Sequence, residues 1–135
     1  MTKFTDWLKA IPDLTPINEL GPLQLAWLGD AVWELHQRLQ LCQTPCCSKD
    51  LHSAVVKRVK ATAQSSALQK LKPLLEKDEL DLIRRGRNRA KRGPRNIDPA
   101  IYARATGFET MMGWLFLQNP ARLVQLLDQL EETFP

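Results

Sequence analysis

Leu20-Gly-Pro-Leu-Gln-Leu-Ala-Trp-Leu-Gly-Asp-Ala-Val-Trp33 is an apolar stretch in which Asp30 is the only charge. Pro22 suits the first turn of a helix, where a missing N–H is not needed. The apolar pattern predicts a helix from there to about Leu41. Apolar almost all round, this helix is expected at the centre of a bundle, with Asp30, Glu34 and Gln37 as its one polar stripe. A second stretch, Ala105-Thr-Gly-Phe-Glu-Thr-Met-Met-Gly-Trp-Leu-Phe-Leu-Gln118, likewise carries one charge, Glu109. Each carboxylate follows closely on a glycine, Gly29 or Gly107. A buried carboxylate without a partner costs several kcal/mol, so a fold that keeps one normally supplies donors or a cation. Two on separate helices suit a hard divalent metal. The plainer alternative is one solvated edge on each of two amphipathic helices.

Working outward, every other segment also reads as helix or connector. Residues 1–19, with Pro12 and Pro16, suggest a short helix and an extended strap. Pro45 breaks the chain after the first long helix. Ser48 is a candidate cap for a helix over about 49–60 that buries Leu51, Val55, Val56 and Val59. A helix over about 61–71 ends before Pro73. The next, over 76–88, turns Leu80 and Ile83 inward and frays into a basic loop. Asp98-Pro99 is a strong start signal for the helix that carries Glu109, over about 99–118. Asn119-Pro120 repeats the signal for a last helix to about Thr133, with Leu123, Val124, Leu126, Leu127 and Leu130 as its apolar residues. Nothing reads as a paired strand, so the fold expected is an all-α bundle in one domain, 1–135.

The net charge of +4 is unevenly placed. Arg84, Arg85, Arg87, Arg89, Lys91, Arg92 and Arg95 are seven of the chain's 19 basic residues, which leaves 12 against 15 acidic ones elsewhere. A charge run is often only a solvated face. Seven cations without an acid, interleaved with Gly86, Gly93 and Pro94, read better as a phosphate-contacting loop over 84–97. No apolar run is long enough to cross a bilayer and no signal-peptide pattern opens the chain, so a cytoplasmic location is expected. Cys42, Cys46 and Cys47 lack a fourth ligand at metal-binding spacing. They read as structural or incidental, and His36 and His52 as packed or solvated.

Leu25-Ala-Trp-Leu-Gly-Asp-Ala-Val-Trp-Glu34 resembles the signature helix of the ribonuclease III catalytic domain. Trp33-Glu34 and the short chain resemble the Mini-ribonuclease III branch. Thr106 to Phe116 is similar to that family's second metal-carboxylate helix, and Arg84-Arg-Gly-Arg-Asn88 to the branch's basic motif. The three occur in the family's order and spacing over roughly residues 18 to 131. The resemblance implies a ribonuclease III-like helical bundle that cuts double-stranded RNA with magnesium, or manganese in its place. It implies precursor large-subunit (23S) ribosomal RNA as substrate, near the base of the stem joining its ends. Asp30 and Glu109 match the two acids on which that chemistry depends. Glu34, one turn after Asp30, is a further candidate ligand by spacing alone, a salt bridge being its alternative.

The chain departs from full-length ribonuclease III where Ala26, Leu23 and Thr106 replace acids, as in the sparser Mini pattern. Fewer acids leave more of the metal's coordination to water and phosphate. No double-stranded-RNA-binding domain is expected to follow the catalytic one, so Arg84, Arg85, Arg87, Asn88, Arg89, Lys91, Arg92 and Arg95 are expected to hold RNA through its backbone. The resemblance also implies a homodimer in which each subunit cuts one strand. Trp27 then occupies the position of an aromatic that plugs into the partner, with a core tryptophan as the alternative. Two other classes stay open at this point: a non-catalytic RNA-binding or ribosome-associated module, and a helical protein-interaction domain.

Overall fold

The computed structural model describes residues 19–43 and 48–133. Over these the chain forms α1 (Pro22–Leu41), α2 (Ser48–Val59), α3 (Ala61–Leu71), α4 (Lys77–Arg89), α5 (Pro99–Gln118) and α6 (Pro120–Thr133), with a 3-10 turn at Lys72–Leu74. No strand occurs among the described residues, and the fold is an all-α bundle. The strap expected over 1–19 lies outside the described residues except for Glu19.

The boundaries follow local chemistry. Pro22 opens α1, and the Gln24 side chain accepts the Gly21 N–H at 2.8 Å. Asp98 Oδ1 accepts the Ala100 N–H at 2.9 Å, so an otherwise unpaired first-turn donor of α5 is satisfied. At α4 the Glu76 N–H donates to Glu79 Oε1 at 2.9 Å. The same buried Glu79 takes a forked pair from Arg122 of α6, at 2.7 and 2.9 Å. That guanidinium holds the Glu79 carboxyl below its usual range, and the pair ties α4 to α6.

The axis of the bundle is α5 rather than α1. Phe108, Met111, Met112 and Leu115 are fully or nearly fully buried, and α5 packs against α1, α3, α4 and α6. Helix α1 buries Leu25, Ala26, Gly29, Trp33 and Gln37 but leaves Leu23, Trp27, Leu35 and Leu39 exposed. An apolar circumference shows that a helix can be covered all round, not that its own chain covers it. Other inward assignments shift by one position. On α4 the buried stripe is Glu79, Leu82, Ile83 and Gly86, and Leu80 is exposed, a step of about 100° away. Val56 and Val124 are exposed beside buried Val55 and Leu123 for the same reason.

Helices α1 and α5 cross in backbone contact. A Cβ on Gly29 would lie 1.8 Å from the Glu109 carbonyl oxygen, and one on Gly113 would lie 2.0 Å from that of Leu25. No side chain fits between them. The crossing therefore brings residue 30 of one helix beside residue 109 of the other.

Candidate active site

Asp30 and Glu109 meet at a buried amide from a third helix. Gln64 of α3 is 2% exposed, and its Nε2 donates to Asp30 Oδ1 at 3.1 Å and to Glu109 Oε2 at 3.4 Å. The second bond is long, so Asp30 is the firmer partner. Asp30 itself is exposed and Glu109 half-buried, so the pair sits at the rim of the core rather than inside it. Burial, with the Asp30 carboxylate close by, pushes the Glu109 carboxyl up to about 9, although the Gln64 bond pulls it down. Two like charges sharing a site favour keeping a proton on one of them or placing a cation between them.

That arrangement fits a hard divalent cation. The donors are carboxylate oxygens, they converge from two helices in backbone contact, and the Asp30 side opens to solvent for water and phosphate. Among the described residues no cluster of three or more His, Cys, Asp and Glu surrounds it, in keeping with the sparse acid pattern of the sequence. Glu34 instead takes the salt bridge, to Arg38 one turn on at 3.1 Å.

The other sequence candidates are arrayed around this pair. Trp27, one turn before Asp30, is 84% exposed, which rules out the core alternative. The expected loop over 84–97 is half helix. Arg84, Arg85, Arg87, Asn88 and Arg89 belong to α4, and only 90–97 is loop. Basic residues in the last turn of a helix complement its dipole, so α4 continues where fraying was expected. Arg84 pairs with Asp81. All seven cations of the segment, and Asn88, are exposed. The loop is anchored at Gly93, whose φ of 78° favours glycine. A Cβ there would lie 2.5 Å from the Tyr102 ring, so the loop lies directly on α5.

Three residues that sequence reasoning passed over belong to this region. Gln64 is one. Arg104 of α5 is another, its Nε donating at 3.0 Å to Oγ of the third, buried Ser65 beside Gln64. A polar pair, Gln64-Ser65, on the same turns as buried Ala67, Leu68 and Leu71 was the available signal. His36 bonds to Glu131 at 3.1 Å, His52 is exposed, and Cys42 is free and exposed. Cys46 and Cys47 lie outside the described residues.

Comparison with known proteins points to one family. Residues 23–120 match the model of the ribonuclease III domain. A Mini-ribonuclease 3 from Synechococcus sp. is 46% identical over 116 residues, which is 86% of this chain and 84% of that protein. A Mini-ribonuclease 3 from Gloeobacter violaceus is 42% identical over 89% of each chain. In structure, a Fusobacterium nucleatum protein solved by X-ray crystallography superposes with a TM-score of 0.79 at 27% identity, over 87% of this chain and 96% of that one. No helix among the described residues is long and apolar enough to cross a membrane.

Proposed function

This chain belongs to the ribonuclease III family and is an endoribonuclease of the Mini-ribonuclease III type; from that premise we propose that it cuts double-stranded RNA. The observation that carries this reading is the convergence of Asp30 and Glu109 on Gln64. In this reading Asp30 and Glu109 hold a divalent cation, magnesium or manganese in its place. Bound there, it supplies Lewis acidity at the scissile phosphate. Backbone contact between the two helices at Gly29 and Gly113 sets their spacing. Glu34, held by Arg38, contributes through electrostatics at most.

The exposed cations of α4 and of the loop after it grip the phosphate backbone, and Asn88 lies among them. Such contacts position a duplex without reading its sequence. Trp27 and Leu23, both exposed and one helical turn apart, form the apolar patch on which a second copy docks. A two-fold dimer then presents one carboxylate pair to each strand. The whole chain, 1–135, serves as one cytoplasmic catalytic domain. Its substrate in the cell is precursor 23S ribosomal RNA, a choice supported by the Mini-ribonuclease III branch.

The deciding experiment incubates a long RNA duplex with purified protein in magnesium, in chelator, and with Asp30→Asn. Magnesium-dependent cutting by the parent and loss of all but a few per cent of the rate in the variant are expected. The amide keeps the shape of the carboxylate and removes the charge that attracts the metal. A variant that cuts at the parent's rate would take Asp30 out of the site.

A further inference from the structure

A glutamine buried in a protein core is costly unless its amide is fully engaged, and Gln64 is 2% exposed. At position 64 the neighbours Ala67, Leu68 and Leu71 are buried and aliphatic, and leucine would fill much the same volume. What the amide does that leucine cannot is donate two N–H groups in two directions. One goes to Asp30 on α1 and the other to Glu109 on α5. The next residue is fixed as well, because Ser65 Oγ accepts from Arg104 Nε at 3.0 Å and pins α3 against α5. The amide thus sits at a determined place between the two carboxyl groups and is tied to both.

We propose that Gln64 is the positioning residue of the metal centre, its amide holding Asp30 and Glu109 convergent so that the site is formed before the cation arrives. This rests on the reading of Asp30 and Glu109 as metal ligands. Partners that orient ligating carboxylates typically govern metal affinity by 10- to 100-fold. A glutamine that merely fills the core would not govern it at all.

The test is a calorimetric titration of manganese into the RNA-free full chain, comparing the parent with Gln64→Leu, Gln64→Glu and Asp30→Asn. Gln64→Leu should bind manganese about 10- to 100-fold more weakly than the parent. Gln64→Glu places a third carboxylate at the same point and should bind about 10-fold more tightly. Its melting temperature should be lower than the parent's in chelator and restored by manganese. Parent-like affinity in Gln64→Leu, with binding lost in Asp30→Asn, overturns the role of Gln64 and leaves the metal reading standing. Parent-like affinity in Asp30→Asn overturns the metal reading and the role of Gln64 with it. If circular dichroism finds Gln64→Leu unfolded, Gln64→Glu decides alone, and unchanged or weaker affinity there overturns the proposal.

Discussion

At the scale of single residues, Glu109 links folding to pH. Its carboxyl is raised from 4.5 to about 9 in the folded protein, chiefly by burial and then by Asp30. The folded state therefore holds a proton that the unfolded chain has released across that interval. Stability rises with pH only where the unfolded state binds more protons, and here it binds fewer. The contribution of Glu109 is thus fully present below 4.5 and is lost as pH rises towards 9. In chelator, the urea midpoint should fall across that range. Glu109→Gln, which carries no proton to lose, should flatten the fall and be the more stable protein at alkaline pH. Divalent metal should recover stability in the parent and not in the variant. Identical pH slopes for the two proteins would show that Glu109 is not the linked group.

At the scale of helices, the crossing of α1 and α5 sets the distance between the two carboxylates. A methyl group at residue 29 would meet the Glu109 backbone at 1.8 Å, and backbone cannot rotate aside as a side chain does. Gly29→Ala should therefore cost ~2 kcal/mol or more by overpacking, read from urea unfolding. The helices must also part at the point that spaces Asp30 from Glu109, so cleavage should drop even under conditions where the variant is fully folded. A folded variant with parent activity would show that the spacing tolerates change. The starts of α1, α5 and α6 were legible because proline and a capping side chain act within one turn. The pairing of Asp30 with Glu109 was legible through family motifs. Gln64 was not, since the only local sign was a polar Gln64-Ser65 pair in a helix that also carries Thr62, Ser66, Gln69 and Lys70, and the amide gains meaning only from the two helices it faces. Nor was the place of α1 at the edge of the bundle legible, because an apolar stretch does not say whether its own chain or another covers it.

At the scale of the whole molecule, the exposed face of α1 and the basic segment make separate demands. Trp27→Ala removes the largest exposed apolar side chain among the described residues. Losing an aromatic at the centre of an interface typically costs ~2 kcal/mol or more, so under the proposed two-fold dimer the parent should sediment as a dimer and the variant as a monomer at the same concentration, with its helical content intact. An unchanged dimer would assign the interface to another face. The basic segment is tested by replacing Arg89, Lys91, Arg92 and Arg95 together with serine. All four are exposed, whereas Arg87 is left in place because its side chain packs against Gly107. No carboxylate of the site is touched. Each cation removed from a phosphate should make log affinity for duplex RNA less steep in log salt by about 1. Affinity should fall equally for unrelated sequences, because interactions with the RNA backbone carry no base information. Cleavage at saturating RNA should fall far less than cleavage at low RNA, the mark of weakened ground-state binding rather than impaired chemistry. Unchanged affinity and salt slope in this variant would mean that other surfaces hold the RNA and that the segment from α4 to α5 is a solvated connection.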